Sequence, residues 1–314
     1  MSSYRFYHID TDGIEYPITD EINTFLLTGG MFGFGLLRLE TAAQRVPYEH
    51  GVTPTGEPYL PEREMIVIIG IKDTTHAAWI ARDAALRDNC SPFRAPAQRC
   101  TLKIVRPDDT VRYIKAWLVE YPQDIGDLEG TVYGKRALTY WAPDPAFYDP
   151  TAVVASFGVS PGGGFTFPFT CPFTFVAVAD SGGFTFPMTF PLTFSAANVT
   201  TRQTIAYAGT MPTLPVVRCY GPADYPLVEN ETLGKAVQVV QAMESGDYID
   251  IDMATGVVTF YDATDGSTTD VTNLITDDTE FWRLQPGENV IRVAMVGTSS
   301  NGVQLTYYDR YLAV

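Results

Sequence analysis

The 314-residue sequence predicts a mainly β protein with one long helix, divided into an N-terminal domain over 1–150 and a C-terminal antiparallel sandwich over 151–314. Three observations carry this reading. Short β-branched and aromatic segments recur from Val216 to the end between glycine-containing turns, the cadence of a sandwich. Only Asp73 to Asp88 is Ala-rich, carries a Thr cap candidate and ends before a Ser-Pro pair, as a long helix should. Pro143, Pro145 and Pro150 fall within eight residues, and their missing donors and fixed φ end any ladder there. At roughly 150 residues per domain the length suits two domains.

Taken in order, Tyr4 to Ile18 reads as two strands around the tight-turn pair Asp12-Gly13. The glycine-rich segment Gly29 to Gly35 leads into Leu36 to Leu39, and Pro47 to Pro61 reads as a long loop without helical periodicity. Met65 to Ile71 is a continuous apolar run too short for a membrane span, expected to be a core strand covered on both faces. In the helix, Trp79, Leu86 and Cys90 share one face with Ile80 beside them, while Arg82 and Arg87 point away. Thr101 to Arg106 and Val111 to Glu120 flank Pro107-Asp-Asp-Thr110 as a hairpin, and Gly130 to Trp141 adds a strand.

Beyond the boundary, Gly164 to Phe175 recurs 19 residues later as Gly183 to Phe194, with Phe-Thr-Phe-Pro in each copy. Alternation places the Phe residues on one face, and prolines four apart mark edge strands, so 164–194 is expected to be a hairpin. Further strands are expected at Val216 to Tyr220, Ala236 to Met243, Tyr248 to Asp252, Val257 to Tyr261, Asp270 to Ile275, Val290 to Val296 and Val303 to Tyr308.

Charge and motifs exclude several chemistries. Lys plus Arg is 21 against Asp plus Glu 37, a net charge of −16, which disfavours phosphate backbones. The N-terminus lacks a secretory pattern and no stretch nears about 18 apolar residues, so a non-exported chain without membrane insertion is expected. Cys90, Cys100, Cys171 and Cys219 fit no zinc spacing and read as buried free thiols. Gly158-Val-Ser160-Pro-Gly162 imitates a nucleophile elbow but has no following helix, and no histidine lies beyond His76. Neither the Gly29–Gly35 segment nor Gly234-Lys235-Ala236 completes a nucleotide-binding string. The acidic set around Asp247 to Glu280 is one place off a calcium loop at Asp262-Ala-Thr-Asp-Gly266, and it reads as outward carboxylates with a hairpin turn. No catalytic residue, cofactor or metal ligand is therefore expected.

His50-Gly51, the strand Arg63 to Ile68 with its following helix, the Pro107-Asp-Asp109 hairpin, Pro143 to Asp149, the Phe-Thr-Phe-Pro repeats, Asp247 to Tyr261 and Phe281 to Asn289 together resemble the distal tail protein family of long-tailed bacteriophages, over almost the whole chain. The resemblance implies an N-terminal split β-barrel that assembles into a hexameric ring and a C-terminal galectin-like sandwich. It implies a structural virion protein at the tail tip, made in the host cytoplasm and joining the tail tube protein to the tail-tip hub. Receptor-binding or side-fibre proteins are further implied neighbours, and DNA passes through the lumen unbound. The sugar-binding His-Asn-Pro-Arg string of galectins is absent. A closed ring needs two different faces on each copy. Phe32, Phe34, His50, Tyr59, Phe165, Phe167, Phe184 and Phe186 are the docking candidates, with Pro47 to Pro61 expected to wrap a neighbour. The alternative is a non-catalytic carbohydrate-binding module using Trp282, Tyr248 or Tyr261 as stacking platforms.

Overall fold

The computed structural model describes residues 3–40, 43–44, 53–54, 59–90, 99–124, 132–158, 198–297 and 302–314. The Phe-Thr-Phe-Pro repeat, Cys171 and Ser160 lie outside the described residues, as do the docking candidates His50, Phe165, Phe167, Phe184 and Phe186. The chain forms two compact units. The first comprises Met1–Val153, Ala208–Thr213 and Tyr308–Val314, and the second Val154–Tyr207 and Leu214–Tyr307. Against the expected division into 1–150 and 151–314, two short C-terminal segments thus join the first unit.

The first unit is built on an open nine-stranded antiparallel sheet, not a closed barrel. Its main path runs Glu15–Pro17, Arg5–Ile9, Arg99–Val105, Val111–Asp124, Tyr133–Ala142, Arg63–Lys72, Thr24–Phe32. The short strands Phe147–Tyr148 and Arg310–Tyr311 pair with each other. Arg63–Lys72 lies between Tyr133–Ala142 and Thr24–Phe32 because its β-branched run suits a doubly paired position. Met65, Val67, Ile69 and Ile71 are fully buried, each contributing about 1.5–3 kcal/mol of transfer free energy. Ile66 and Ile68 on the other face are only half-buried, so the strand alternates where the sequence predicted cover on both faces. An antiparallel sheet can leave one face partly solvated.

The helix His76–Asn89 begins at Thr75, whose hydroxyl accepts from the Ala78 amide at 3.2 Å. Trp79 and Leu86 are buried, and the Trp79 indole N–H donates to the Ile71 carbonyl at 3.2 Å, fastening helix to sheet. Ile80, expected beside that face, is 50% exposed. Asp83 is buried in its place, accepting from Arg136 Nε at 2.6 Å and Arg87 Nε at 3.0 Å. Removing one partner of such a pair costs about 3–5 kcal/mol because the other charge stays buried.

The second unit stacks a six-stranded sheet, in the order Val153–Phe157, Val303–Tyr307, Val216–Tyr220, Tyr248–Asp252, Val258–Tyr261, Thr268–Asp270, with a five-stranded one. The latter runs Asn198–Tyr207, Gly287–Gly297, Ala223–Asn230, Lys235–Gln238, with Ala242–Met243 also on Ala223–Asn230. Their facing side chains, among them Val217, Ile249, Val228 and Val293, form one core, the antiparallel sandwich that was expected. Three details differ. Ala236 to Met243 is two strands, and the strand expected over Asp270 to Ile275 stops at Asp270, whose carboxylate accepts from the Thr272 amide at 2.9 Å and starts a 3₁₀ turn. Ala223–Asn230 and Asn198–Tyr207 are strands the sequence reading did not name; Pro226 lies in the first, at a register shift beside Tyr225 with φ 54°. Among the described residues no helix is long and apolar enough to cross a membrane.

Candidate functional site

The first unit offers the clearest surface for contact. Thr24–Phe32 pairs only with Arg63–Lys72 among the described strands, so it stands at the edge of the described sheet. At its end the chain leaves the sheet through Gly33, whose φ of 80° suits glycine. An added Cβ there would lie 1.8 Å from the Glu64 carbonyl oxygen. This turn drives Phe34 inward, where it is 5% exposed and meets Phe6 edge-on at 5.5 Å and Phe147 at 6.3 Å. Phe34 is thus a core residue of the protomer rather than a surface one.

Arg63 locks this exit. Fully buried, it donates to the carbonyls of Gly33 (2.5 Å), Gly35 (2.8 Å), Pro145 (2.8 Å) and Leu312 (2.6 Å), with its guanidinium 4.7 Å from the Phe147 ring centroid. Burial pushes its pKa down to about 10. Further out, Glu40 and Tyr59 exchange backbone bonds of 2.9 and 2.8 Å, and the Tyr59 hydroxyl donates to the Glu40 carboxylate at 3.2 Å. That carboxylate holds the phenol above its usual range. Ala43 pairs with Pro54 and Gln44 with Thr53, all antiparallel. Where described, the two limbs of the excursion between the paired strands therefore run side by side as an arm, where the sequence predicted a loop. Phe32, Leu36, Leu39 and Tyr59 are 52%, 77%, 58% and 54% exposed around its base. Of the docking candidates, the structure brings Phe32 and Tyr59 to this surface. Leu36 and Leu39 complete it; they were legible in the sequence as unpaired apolar residues beside a glycine-rich segment.

The sandwich supplies less for a ligand. Trp282 is 1% exposed and its indole donates to the Val228 carbonyl at 3.2 Å, so it is a core residue. Tyr248 has Tyr261 stacked on one side at 4.6 Å and the Arg218 guanidinium 4.1 Å away from the strand on the other side. Tyr248 is thereby engaged by groups of its own chain. Arg218 is gripped by Asp250 through two 2.7 Å bonds. Other carboxylates serve turns or ion pairs: Asp247 accepts from the Glu244 and Ala263 amides at 2.7 and 2.9 Å, Asp265 from the Ser267 amide at 2.8 Å, and Glu229 pairs with Arg292 at 2.6 Å. Among the described residues no cluster of His, Cys, Asp or Glu is arranged to hold a metal ion. Cys90, Cys100 and Cys219 are buried free thiols, as expected, each pushed up to about 12 by burial. His8, also buried, is held below its ordinary value, and its Nδ1 lies 3.4 Å from the Tyr140 hydroxyl.

Residues 208–311 match the family model of the siphovirus-type tail component, C-terminal domain. Among solved structures, that of phage SPP1 Dit (gp 19.1), described as a paradigm of hub adsorption apparatus in phages infecting Gram-positive bacteria, aligns over 97% of this chain and 98% of its own at 15% identity with a TM-score of 0.63. A phage P2 baseplate structure in its activated conformation with Ca aligns over 99% of each chain at 9% identity and a TM-score of 0.46. A second, with Sr, aligns over 97% of each at 10% and 0.45. No curated protein sequence matches. The resemblance drawn from the sequence motifs is borne out by the first two of these findings.

Proposed function

We infer from the likeness to distal tail proteins, carried in sequence by 208–311 and in fold by nearly the whole chain, that this protein is a structural component of a bacteriophage tail tip. Six copies form a ring through their N-terminal units, and the ring joins the tail tube to the tail-tip hub. The sandwich docks neighbouring receptor-binding or side-fibre proteins. Assembly takes place in the host cytoplasm, and the finished protein resides in the virion. The observation that carries the ring is the strand Thr24–Phe32, at the edge of the described sheet, continuing into an antiparallel arm with exposed apolar side chains at its base. Edges and arms of this kind pair in trans, and the work asked of the chain is shape complementarity rather than catalysis.

Native mass spectrometry of the full chain tests this directly. A sixfold species is expected, and replacing 41–58 by a short Gly-Ser turn should leave monomers. A wild-type chain that stays monomeric at high concentration sinks the ring, and rings that survive the replacement remove the arm from it. The acidic surface, with a net charge of −16, repels a passing DNA duplex. Reversing exposed acids at the lumen should slow genome ejection.

A further inference from the structure

We propose that the two ends of the central strand Arg63–Lys72 are the two halves of one head-to-tail contact, each docking on the opposite end of a second copy. This rests on the ring reading and assigns its contact residues. At one end stand the exposed Phe32, Leu36, Leu39 and Tyr59, flanked by the exposed carboxylates Glu62 and Glu64. At the other end three neighbouring strands or turns finish together. Lys72 N–H donates to the Asn23 carbonyl at 2.8 Å, and Asp73 N–H to the Val132 carbonyl at 2.9 Å. That end exposes Ile22 (70%), Val132 (42%) and Tyr133 (38%), with Ile80 (50%) on the adjoining helix. Its outward charges are the exposed Lys72 and Lys135, on adjacent paired strands.

The other charged groups at these ends are already engaged. Arg82 binds Asp73 at 3.1 Å and Asp20 at 3.5 Å, Asp20 also caps the amides of Ile22, Asn23 and Thr24, and Glu21 accepts from Ser3. Glu40 holds the Tyr59 hydroxyl. Arg38 and His76 are further exposed basic groups, one at each end, and the His76 ring stacks on Trp79 at 5.9 Å. A ten-residue strand at about 3.4 Å per residue separates the ends by about 30 Å, so one copy cannot join them to each other. Two different patches, each apolar and rimmed by opposite charge, define a heterologous contact, which repeats until it closes.

The test uses the full chain in a Cys171→Ser background. Ile22→Cys with Leu39→Cys in one chain, both at exposed positions, should cross-link under mild oxidation into a covalent ladder, while either substitution alone should give no covalent dimer. Lys72→Glu with Lys135→Glu should raise the concentration needed for assembly by about tenfold or more, Glu62→Lys with Glu64→Lys should do the same, and the two charge variants mixed should assemble together. Rings that form normally in the charge variants and leave the paired cysteines unlinked overturn the contact while leaving the ring intact. Covalent dimers from Ile22→Cys alone overturn it too, by showing a twofold contact. A parent chain that never assembles instead removes the ring reading itself and this contact with it.

Discussion

Arg63 carries a charge into the interior and is met there by four carbonyl oxygens. Hydrogen bonds to a charged donor contribute about 1.5–3 kcal/mol each, part of which offsets the desolvation. Arg63→Met is therefore expected to destabilise the first unit by about 3 kcal/mol or more, leaving carbonyls unpaired; urea denaturation measures it, and a loss under about 1 kcal/mol would make the rosette incidental. Gly33→Ala faces both a positive φ and a backbone oxygen 1.8 Å away. Its melting temperature should fall by several degrees, since strained φ alone costs about 1–3 kcal/mol. The buried thiols set an alkaline limit. Unfolded, each releases its proton near 9.0, and folded only near 12. Across that window the folded state binds more protons. The stability these thiols supply is thus complete below pH 9 and lost as the pH rises toward 12. Denaturation midpoints measured over that range check the sign, and iodoacetamide near about pH 8 should leave these three thiols unlabelled until the chain unfolds.

Elements marked by local signals, such as turn chemistry, capping or an apolar run, were the legible ones. The Asp12-Gly13 and Pro107–Thr110 hairpins, the core strand and the Thr75-capped helix follow from alternation, turn chemistry and capping within some 20 residues. Pairings across long separations left no such trace: Ala223–Asn230 reads as a break because of Pro226, and Arg310–Tyr311 pairs with Phe147–Tyr148 from the far end of the chain. The proposed contact surface was half legible for a related reason. Exposed Phe32 and Tyr59 could be read from a glycine-rich exit, but the inward course of Phe34 depends on Gly33 meeting Glu64 across the sheet. Ile80 and Asp83 exchanged places against expectation because Arg136, on a distant strand, supplies the partner that makes a buried carboxylate tolerable. Asp247 shows how turns carry the sandwich. Its carboxylate joins the Glu244 turn to Ala263 beyond the Tyr261 strand, and Asp247→Ala should cost about 2–3 kcal/mol in thermal or chemical unfolding.

The first unit is assembled from three stretches of chain, and the second is interleaved between them. Each unit has its own core, of which Met65, Ile104 and Leu138 belong to one and Val217, Ile251 and Val293 to the other. A fragment ending at Val153 keeps eight of the nine sheet strands but lacks 208–213 and 308–314, including the Leu312 carbonyl that holds Arg63 and the Arg310–Tyr311 strand. It should therefore melt at lower temperature and less cooperatively than the corresponding transition of the full chain, as calorimetry would show; equal melting would mean the late segments contribute little.

That interleaving also governs timing on the ribosome. Translation delivers Arg63 early, yet the carbonyl of Leu312 that completes its surroundings emerges some 250 residues later, roughly a quarter of a minute or more at about 5–20 residues per second. Until then the exit that aims Phe32 and Tyr59 outward is incompletely held. The exit is thus among the last parts of the first unit to be completed, long after the strands that pair across its sheet have been made.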